Sequence, residues 1–265
     1  MIVHSIVNRD IANLQDCESE PIHIPGSIQP HGFLLAIDEA LRIVYCSSNC
    51  VDFLGLSKEK ILTQPFGAVF SATQEEALQA YIRAFTPQNA FPFILDFQQT
   101  KYNCTLHATG SLYVFEAEPF PDGHLQLPDL YNQTKKFVAY LQHSTTLQEL
   151  SYLIATETRA ITGYDRVMIY KFDENYNGEV IAESKRDDLE PFLGLHYPHT
   201  DIPAQARELY LRNLMRMIVD VHYTPVPIFT TETRTHRDLD LSLSVLRSVS
   251  PIHIEYLKNM GVGAT

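Results

Sequence analysis

The stretch "HGFLLAIDEALRIVYCSS", residues 31–48, sets the first expectation about the fold. It contains two apolar or alternating runs, residues 31–38 and 42–48, which are joined by the short connection "EAL". Runs of this length on either side of a brief connection are typical of two adjacent antiparallel strands. We therefore expect the chain to begin its first domain with a pair of antiparallel strands.

Helical and strand-like segments continue this pattern toward the middle of the chain. The segment "TQEEALQAYIRAF", residues 73–85, places Thr73 and Glu76 in the relation of a capping box and predicts a helix. Five strands with helices inserted after the second predict an α+β sheet domain, and residues 119–129 resemble its exit linker. The other three predicted strands are residues 91–99, 102–109 and 111–119.

The second half opens with a long amphipathic helix. Thr146 and Glu149 form a second capping box, and Gly163 follows the last periodic residue, so the helix should end there. A final short helix has Ser250 as its N-cap and Gly261 just past its end. The other predicted elements are strands at residues 165–172, 178–184 and 217–223, a helix at about 204–217, and a polar connection after residue 223.

Composition and charge exclude several classes of function. A chain of 265 residues is long enough for two domains. Its formal net charge of −12 argues against the basic surface that binding to nucleic acid or anionic lipid requires. It has no secretory signal and no run of 18 apolar residues. We expect a soluble cytoplasmic protein whose partners are proteins or small molecules. Motifs for phosphate binding, for a hydrolase nucleophile or for a metal are not found.

Three segments carry candidate functional residues, and each also has an ordinary structural explanation. Cys17 lies in polar surroundings, unusual for a residue type so often buried, but it could be a plain surface thiol. The segment "HYPHTDIPAQARELYLRNLMR", residues 196–216, combines tyrosines with arginines, or is simply a capped, solvated helix. In "LRSVSPIHIEYLKNMG", residues 246–261, His253 shares a helix face with Tyr256, as a hydrogen-bonded core histidine also would.

Taken together, these segments resemble one family. "CESEPIHIPGSIQPHG", "DRVMIYKFDENYNGEVIAES", "YPHTDIPAQARELYLRNLMR" and "LRSVSPIHIEYLKNMGVGA" are similar, in this order, to the photosensory region of bacterial phytochromes, which sense red and far-red light with a linear tetrapyrrole. The resemblance covers essentially the whole chain. It implies an N-terminal extension (1–19), a PAS domain (20–125) and a GAF domain (130–265) whose C-terminal part is missing. Each domain would be an antiparallel sheet with flanking helices, and the N-terminal segment would form a figure-of-eight knot.

The resemblance also implies the pigment and its attachment site. In bacteriophytochromes a cysteine ahead of the PAS domain binds biliverdin through a thioether, which makes Cys17 the attachment residue. Plant-type phytochromes use a cysteine at the position that Ile252 occupies here. The implied cofactor is therefore biliverdin.

The remaining pocket residues follow from the same resemblance. Asp201 would hold the pyrrole nitrogens through its backbone carbonyl, and His253 would lie beside the ring system and support proton movement. Arg216 and Arg247 would bind the two propionates, since a guanidinium group suits a carboxylate. The other residues implied to line the pocket are Tyr170, Tyr197, Tyr210, Tyr256, Ile202, Pro203, Ser250 and Met168.

The resemblance predicts a light-sensing module that is not itself an enzyme. Its output would pass to downstream PHY and histidine kinase domains of a longer parent, which would be a homodimer. Because the GAF pattern breaks off at Thr265, a pigment-free PAS-GAF module that acts by dimerisation is the alternative function. A GAF domain for another ligand, such as a cyclic nucleotide, would leave Cys17 unexplained, and an enzyme with His253 as base lacks an oriented nucleophile.

Overall fold

The computed structural model divides into two compact units. Residues 1–120 and 204–265 form the first unit and residues 121–203 form the second. With the expected boundary at residue 130, residues 204–265 would belong to the second domain. In the structure they pack with the N-terminal residues. The domain boundaries stay a prediction. The structure describes residues 2–7, 20–84, 92–120, 132, 135–140, 142, 144–231 and 233–265.

The strands and helices have the following bounds. The strands are β1 (Val3–Ser5), β2 (Ser27–Ile28), β3 (Phe33–Ile37), β4 (Ile43–Ser47), β5 (Phe93–Phe97), β6 (Thr100–Thr109), β7 (Leu112–Pro119), β8 (Arg166–Phe172), β9 (Gly178–Lys185), β10 (His196–Tyr197) and β11 (Val226–Thr231). The helices are α1 (Cys50–Leu54), α2 (Lys58–Ile61), α3 (Phe66–Val69), α4 (Ala72–Ala84), α5 (Leu147–Thr162), α6 (Ala204–Arg212) and α7 (Pro251–Asn259).

The first unit is built on one antiparallel sheet of eight strands. Its order is β1-β11-β4-β3-β7-β6-β5, and β2 also pairs with β11. The predicted strand pair at its centre is confirmed, with Leu35 opposite Cys46. Helices α1 to α4 lie between β4 and β5 in the chain, so the predicted α+β arrangement is confirmed as well.

Strand β3 is buried on both faces of this sheet. Phe33 and Leu35 pack into the core that includes residues of α1 to α4, whereas Leu34 and Ala36 pack with residues such as Leu246 on the opposite face. Two-sided burial explains why the strand reads as a continuous apolar run instead of an alternating one. Each fully buried leucine or phenylalanine side chain of this strand stabilises the fold by about 1.5–3 kcal/mol.

The C-terminal part of the chain covers the opposite face with Leu239, Leu241 and Leu246, and it also adds to the sheet a strand that the sequence did not predict. The polar connection expected after residue 223 contains β11, which pairs antiparallel with β1, β2 and β4. The strand predicted at residues 217–223 is wrong. The Gln29 side chain instead donates to the Met217 carbonyl (2.9 Å) and accepts from the Val219 amide (3.2 Å).

The second unit contains α5 and a three-stranded antiparallel sheet in the order β10-β9-β8. The predicted bounds of α5 are confirmed: the Thr146 side chain accepts from the Glu149 amide, and Gly163 ends the helix in the left-handed conformation. Over the described residues, no helix is long and apolar enough to cross a membrane.

Three other helices agree with their predicted ends to different degrees. Helix α7 is confirmed, since Ser250 caps its N-terminus. Helix α6 ends at Arg212, about five residues before the expected end. In α4 the expected cap at Thr73 is wrong, because the Ser71 hydroxyl accepts from the Gln74 amide (3.2 Å).

Candidate chromophore-binding site

The N-terminus of α7 is the first part of the candidate site, in the first unit. The Ser250 hydroxyl accepts from the Ile252 amide (3.2 Å) and donates to the Glu20 carboxylate (2.5 Å). One turn into the helix, the rings of His253 and Tyr256 are nearly parallel, with centroids 6.4 Å apart. The cap thus connects the helix that carries His253 to the segment that follows Cys17.

Two arginines lie next to this helix terminus. Arg216 donates through Nη2 to the carbonyl oxygens of Arg247 (2.6 Å) and Ser248 (3.2 Å). Arg247 is only 4% exposed and donates through Nη1 to the Ile22 carbonyl (2.9 Å). Its buried Nε has no hydrogen-bond partner in the described part of the chain. A buried N–H of a cation without an acceptor is costly, so this group is suited to an anionic ligand.

The local electrostatics favour an anion and a neutral imidazole. Burial and then the charge of Arg216 lower the pKa of Arg247 to about 9, which leaves this guanidinium charged at neutral pH. Desolvation by the surrounding protein and then the same Arg216 charge lower the pKa of His253. Tyr210, on α6, interacts electrostatically with both arginines. The first unit therefore brings Tyr210, Arg216 and Arg247 within electrostatic range of one another, and Arg216 within range of His253.

The segment after Cys17 runs along the loop that carries Arg247. The Leu241 amide donates to the His23 carbonyl (2.8 Å), and the Ser248 amide donates to the Ser27 carbonyl (3.1 Å). With the bonds from Arg247 to Ile22 and from Ser250 to Glu20, these contacts hold residues 20–27 in place. Cys17 itself lies outside the described residues, as does the chain on which the predicted knot depends.

In the second unit, two of the predicted aromatic residues meet across a glycine. The rings of Tyr170 on β8 and Tyr197 on β10 have centroids 5.9 Å apart. Gly178 on the intervening strand makes this approach feasible, because a Cβ there would lie 1.8 Å from Tyr170 Cζ. Met168, also on β8, has an exposed side chain.

Asp201 belongs to a short 3-10 turn, His199–Asp201. The Asp201 amide donates to the Pro198 carbonyl (3.1 Å), and the His199 amide donates to the Asn177 side chain (3.2 Å). Asn177 in turn donates to the Asp173 carboxylate (3.0 Å), so the loop before β9 holds the turn. Ile202 and Pro203 follow directly and are half-buried.

The predicted site residues thus divide between the two units. The first unit holds Tyr210, Arg216, Arg247, Ser250, His253 and Tyr256, and the second holds Met168, Tyr170, Tyr197, Asp201, Ile202 and Pro203. Sequence reasoning missed Glu20, Gln29 and Glu116, which contact the segments that carry Arg216, Arg247 and Ser250. The one available signal for Glu116 was an acidic residue inside the strand-like run "LYVFEAEP".

Comparisons with known proteins agree with this fold. Residues 17–120 match the family model described as PAS fold. The wild-type chromophore-binding domain of Stigmatella aurantiaca phytochrome P1 superposes with a TM-score of 0.85 at 40% identity, covering 94% of this chain and 84% of that one. These matches place the chain in the class of PAS-containing photosensory modules.

Two curated relatives carry the assignment further. Cyanobacterial phytochrome B of a Nostoc species is 42% identical over 96% of this chain and 35% of its own length. A bacteriophytochrome of Xanthomonas campestris is 40% identical over 96% of this chain and 40% of its own length. The chain belongs to the phytochrome family of photoreceptors. It spans between a third and two fifths of the length of these two relatives.

Proposed function

We propose that this chain is the part of a red/far-red photoreceptor that binds biliverdin, with Cys17 as the attachment residue. The observation that carries the proposal is the pair of neighbouring guanidinium groups, Arg216 and Arg247. The second has a buried N–H for which the described residues offer no acceptor. Biliverdin carries two propionate carboxylates, and bidentate guanidinium pairing is the interaction that suits such groups. The residues present therefore fit this pigment.

The position of the N-terminal segment supports Cys17 as the attachment residue. Glu20, three residues after Cys17, is bonded to Ser250 at the start of the helix that carries His253. Three residues of extended chain span at most about 11 Å, so the Cys17 thiol is within reach of a ligand held at this helix terminus. Cys17 would form the thioether by addition of its S–H across a vinyl C=C of the pigment, so that the thiol proton ends on the pigment carbon skeleton and no group leaves.

The other residues have roles that follow from their surroundings. When bound, the pigment supplies absorption of red light and photoisomerisation. His253, with a lowered pKa, offers a neutral imidazole that can accept or pass on a proton. Following the family resemblance, Asp201 would offer its backbone carbonyl to the pyrrole nitrogens. Tyr210 and Tyr256 of the first unit would contribute aromatic lining, and Met168, Tyr170, Tyr197, Ile202 and Pro203 of the second unit would do so on their side.

We also propose that the chain itself catalyses no reaction and senses light for other domains. The relatives are longer than this chain. In the proposal the signal passes to PHY and histidine kinase domains of a longer, homodimeric parent.

Covalent attachment tests the proposal directly. The chain is co-expressed with biliverdin synthesis, denatured, and examined on a gel for zinc-induced fluorescence of bound pigment. Cys17→Ala should abolish the fluorescent band, while Ile252→Ala, at the plant-type attachment position, should retain it. A fluorescent band that persists in Cys17→Ala would refute the assignment of the thiol, and no colour in the parent protein would refute the proposed function.

A further inference from the structure

A buried glutamate of the central sheet contacts the loop that carries Arg247. Glu116, on β7, is 1% exposed. Its carboxylate accepts hydrogen bonds from the Ser244 hydroxyl (2.5 Å), the Val245 amide (3.0 Å) and the Leu246 amide (2.8 Å). A buried carboxylate is tolerated only when it is well hydrogen-bonded, and here all three of these donors come from consecutive residues. The contact therefore fixes residues 244–246 to the sheet.

The hydrogen bonds continue from this anchor to both arginines. The Ser244 hydroxyl also accepts from the Arg247 amide (3.0 Å). The Arg247 carbonyl, one peptide further on, accepts from the Arg216 guanidinium (2.6 Å). A shift of residues 244–246 would thus move the backbone of Arg247 and the acceptor that orients Arg216.

Besides its hydrogen bonds, the charge of Glu116 also affects the two arginines. Burial raises the pKa of Glu116, while the hydrogen bonds from residues 244–246 favour its charged form. In that form its negative charge raises the pKa of both Arg216 and Arg247 against the larger effect of burial. On its other side the carboxylate lies 3.8 Å from Nδ1 of His107, whose pKa is lowered to about 4 by burial and which is therefore neutral at pH 7. Glu116 is thus held mainly by the loop.

We propose that Glu116 is a positioning residue for carboxylate recognition. It fixes the backbone that carries Arg247 and orients Arg216, so that the two guanidinium groups face the two propionates of the pigment. This inference rests on the proposed function. Glu116 acts through the arginines and makes no contact with the ligand.

Reversible binding separates this role from a general effect on folding. The variants are made in a Cys17→Ser background, and titrations compare biliverdin with its dimethyl ester, whose propionates carry no charge. Glu116→Gln replaces one acceptor oxygen by an NH₂ group that cannot accept from a backbone amide. We expect it to weaken biliverdin binding about tenfold and to change dimethyl ester binding less than about twofold.

The matched control is Glu118→Gln, two residues further along β7. Glu118 is paired with His31 (3.3 Å), and its replacement removes the same charge without touching the loop. It should leave the preference for biliverdin unchanged. Ser244→Ala, which removes one of the three bonds to Glu116 and also the acceptor of the Arg247 amide, should reduce the preference in the same direction as Glu116→Gln.

A readout on the pigment-free protein completes the test. Glu116→Gln should accelerate hydrogen exchange of the amides of residues 245–247 about tenfold, and Glu118→Gln should not. Equal weakening of both pigments, or an unchanged preference in Glu116→Gln, would overturn the positioning role while the proposed function stands. If the parent protein binds neither pigment, the proposed function fails and this inference with it.

Discussion

Gly26 lies against the backbone of residues 6–7, and we expect Gly26→Ala to be strongly destabilising. The residue has φ of +65°, and a Cβ there would lie 2.0 Å from the carbonyl oxygen of Ile6 and 2.8 Å from Cα of Val7. Because these are backbone atoms, the chain at residues 6–7 must move away. That movement breaks the bond from the Ile6 amide to the Ile228 carbonyl (2.9 Å) and exposes Ile6, which is now 3% exposed.

The expected magnitude follows from these separate effects. The left-handed backbone costs an alanine about 1–2 kcal/mol, the lost hydrogen bond about 1 kcal/mol, and exposure of the isoleucine about 1.5–3 kcal/mol. The free energy of unfolding should therefore fall by about 3.5–6 kcal/mol, a large part of the stability of a typical domain.

Gly55→Ala is the matched control for this substitution. Gly55 has φ of +67°, but a Cβ there would meet nothing within 4 Å. Only the backbone cost of about 1–2 kcal/mol applies. Because the sequence has no tryptophan, urea unfolding is followed by far-ultraviolet circular dichroism. Equal destabilisation by the two substitutions would refute the close approach of residues 6–7 to Gly26.

Two further predictions concern protons. The pKa of His107 is lowered to about 4 by burial, against the charge of Asp240, while a histidine in the unfolded chain titrates near about 6.5. Between these values only the unfolded state takes up the proton. The free energy of unfolding therefore decreases as the pH is lowered from about 6.5 to about 4, by up to about 3 kcal/mol. His107→Gln should remove this dependence, and parallel pH curves for the two proteins would contradict it. If the proposed function holds, His253→Ala should lower the apparent pKa of the bound pigment, because an acceptor near the protonated pyrroles is lost. Absorbance titration measures this, and a red band that bleaches at the same pH as in the parent would contradict it.

Residues near one another in the sequence determined the elements that could be predicted. The caps of α5 at Thr146 and Gly163, and the Ser250 cap of α7, depend on backbone groups within a few residues. The pair β3 and β4 depends on two apolar runs separated by a short connection. The family resemblance, carried by four sequence segments, likewise required no knowledge of the tertiary structure.

Contacts between distant residues decided what the sequence did not show. Residues 226–231, "VPIFTT", are rich in residue types that favour strands apart from Pro227, but only the tertiary structure shows that the segment becomes β11 by pairing with β1, β2 and β4. Residues 217–223 look like a strand, but the Gln29 side chain, far away in the sequence, takes two of their backbone groups. Ile218 and Val221 bond instead to the backbone of residues 263–265. The same holds for Glu116, whose partners lie 128–130 residues away. Periodicity and capping report which face of an element is apolar and where it ends. They carry no information about which distant donor a buried acceptor will meet, because that depends on how the sheet and the loops pack.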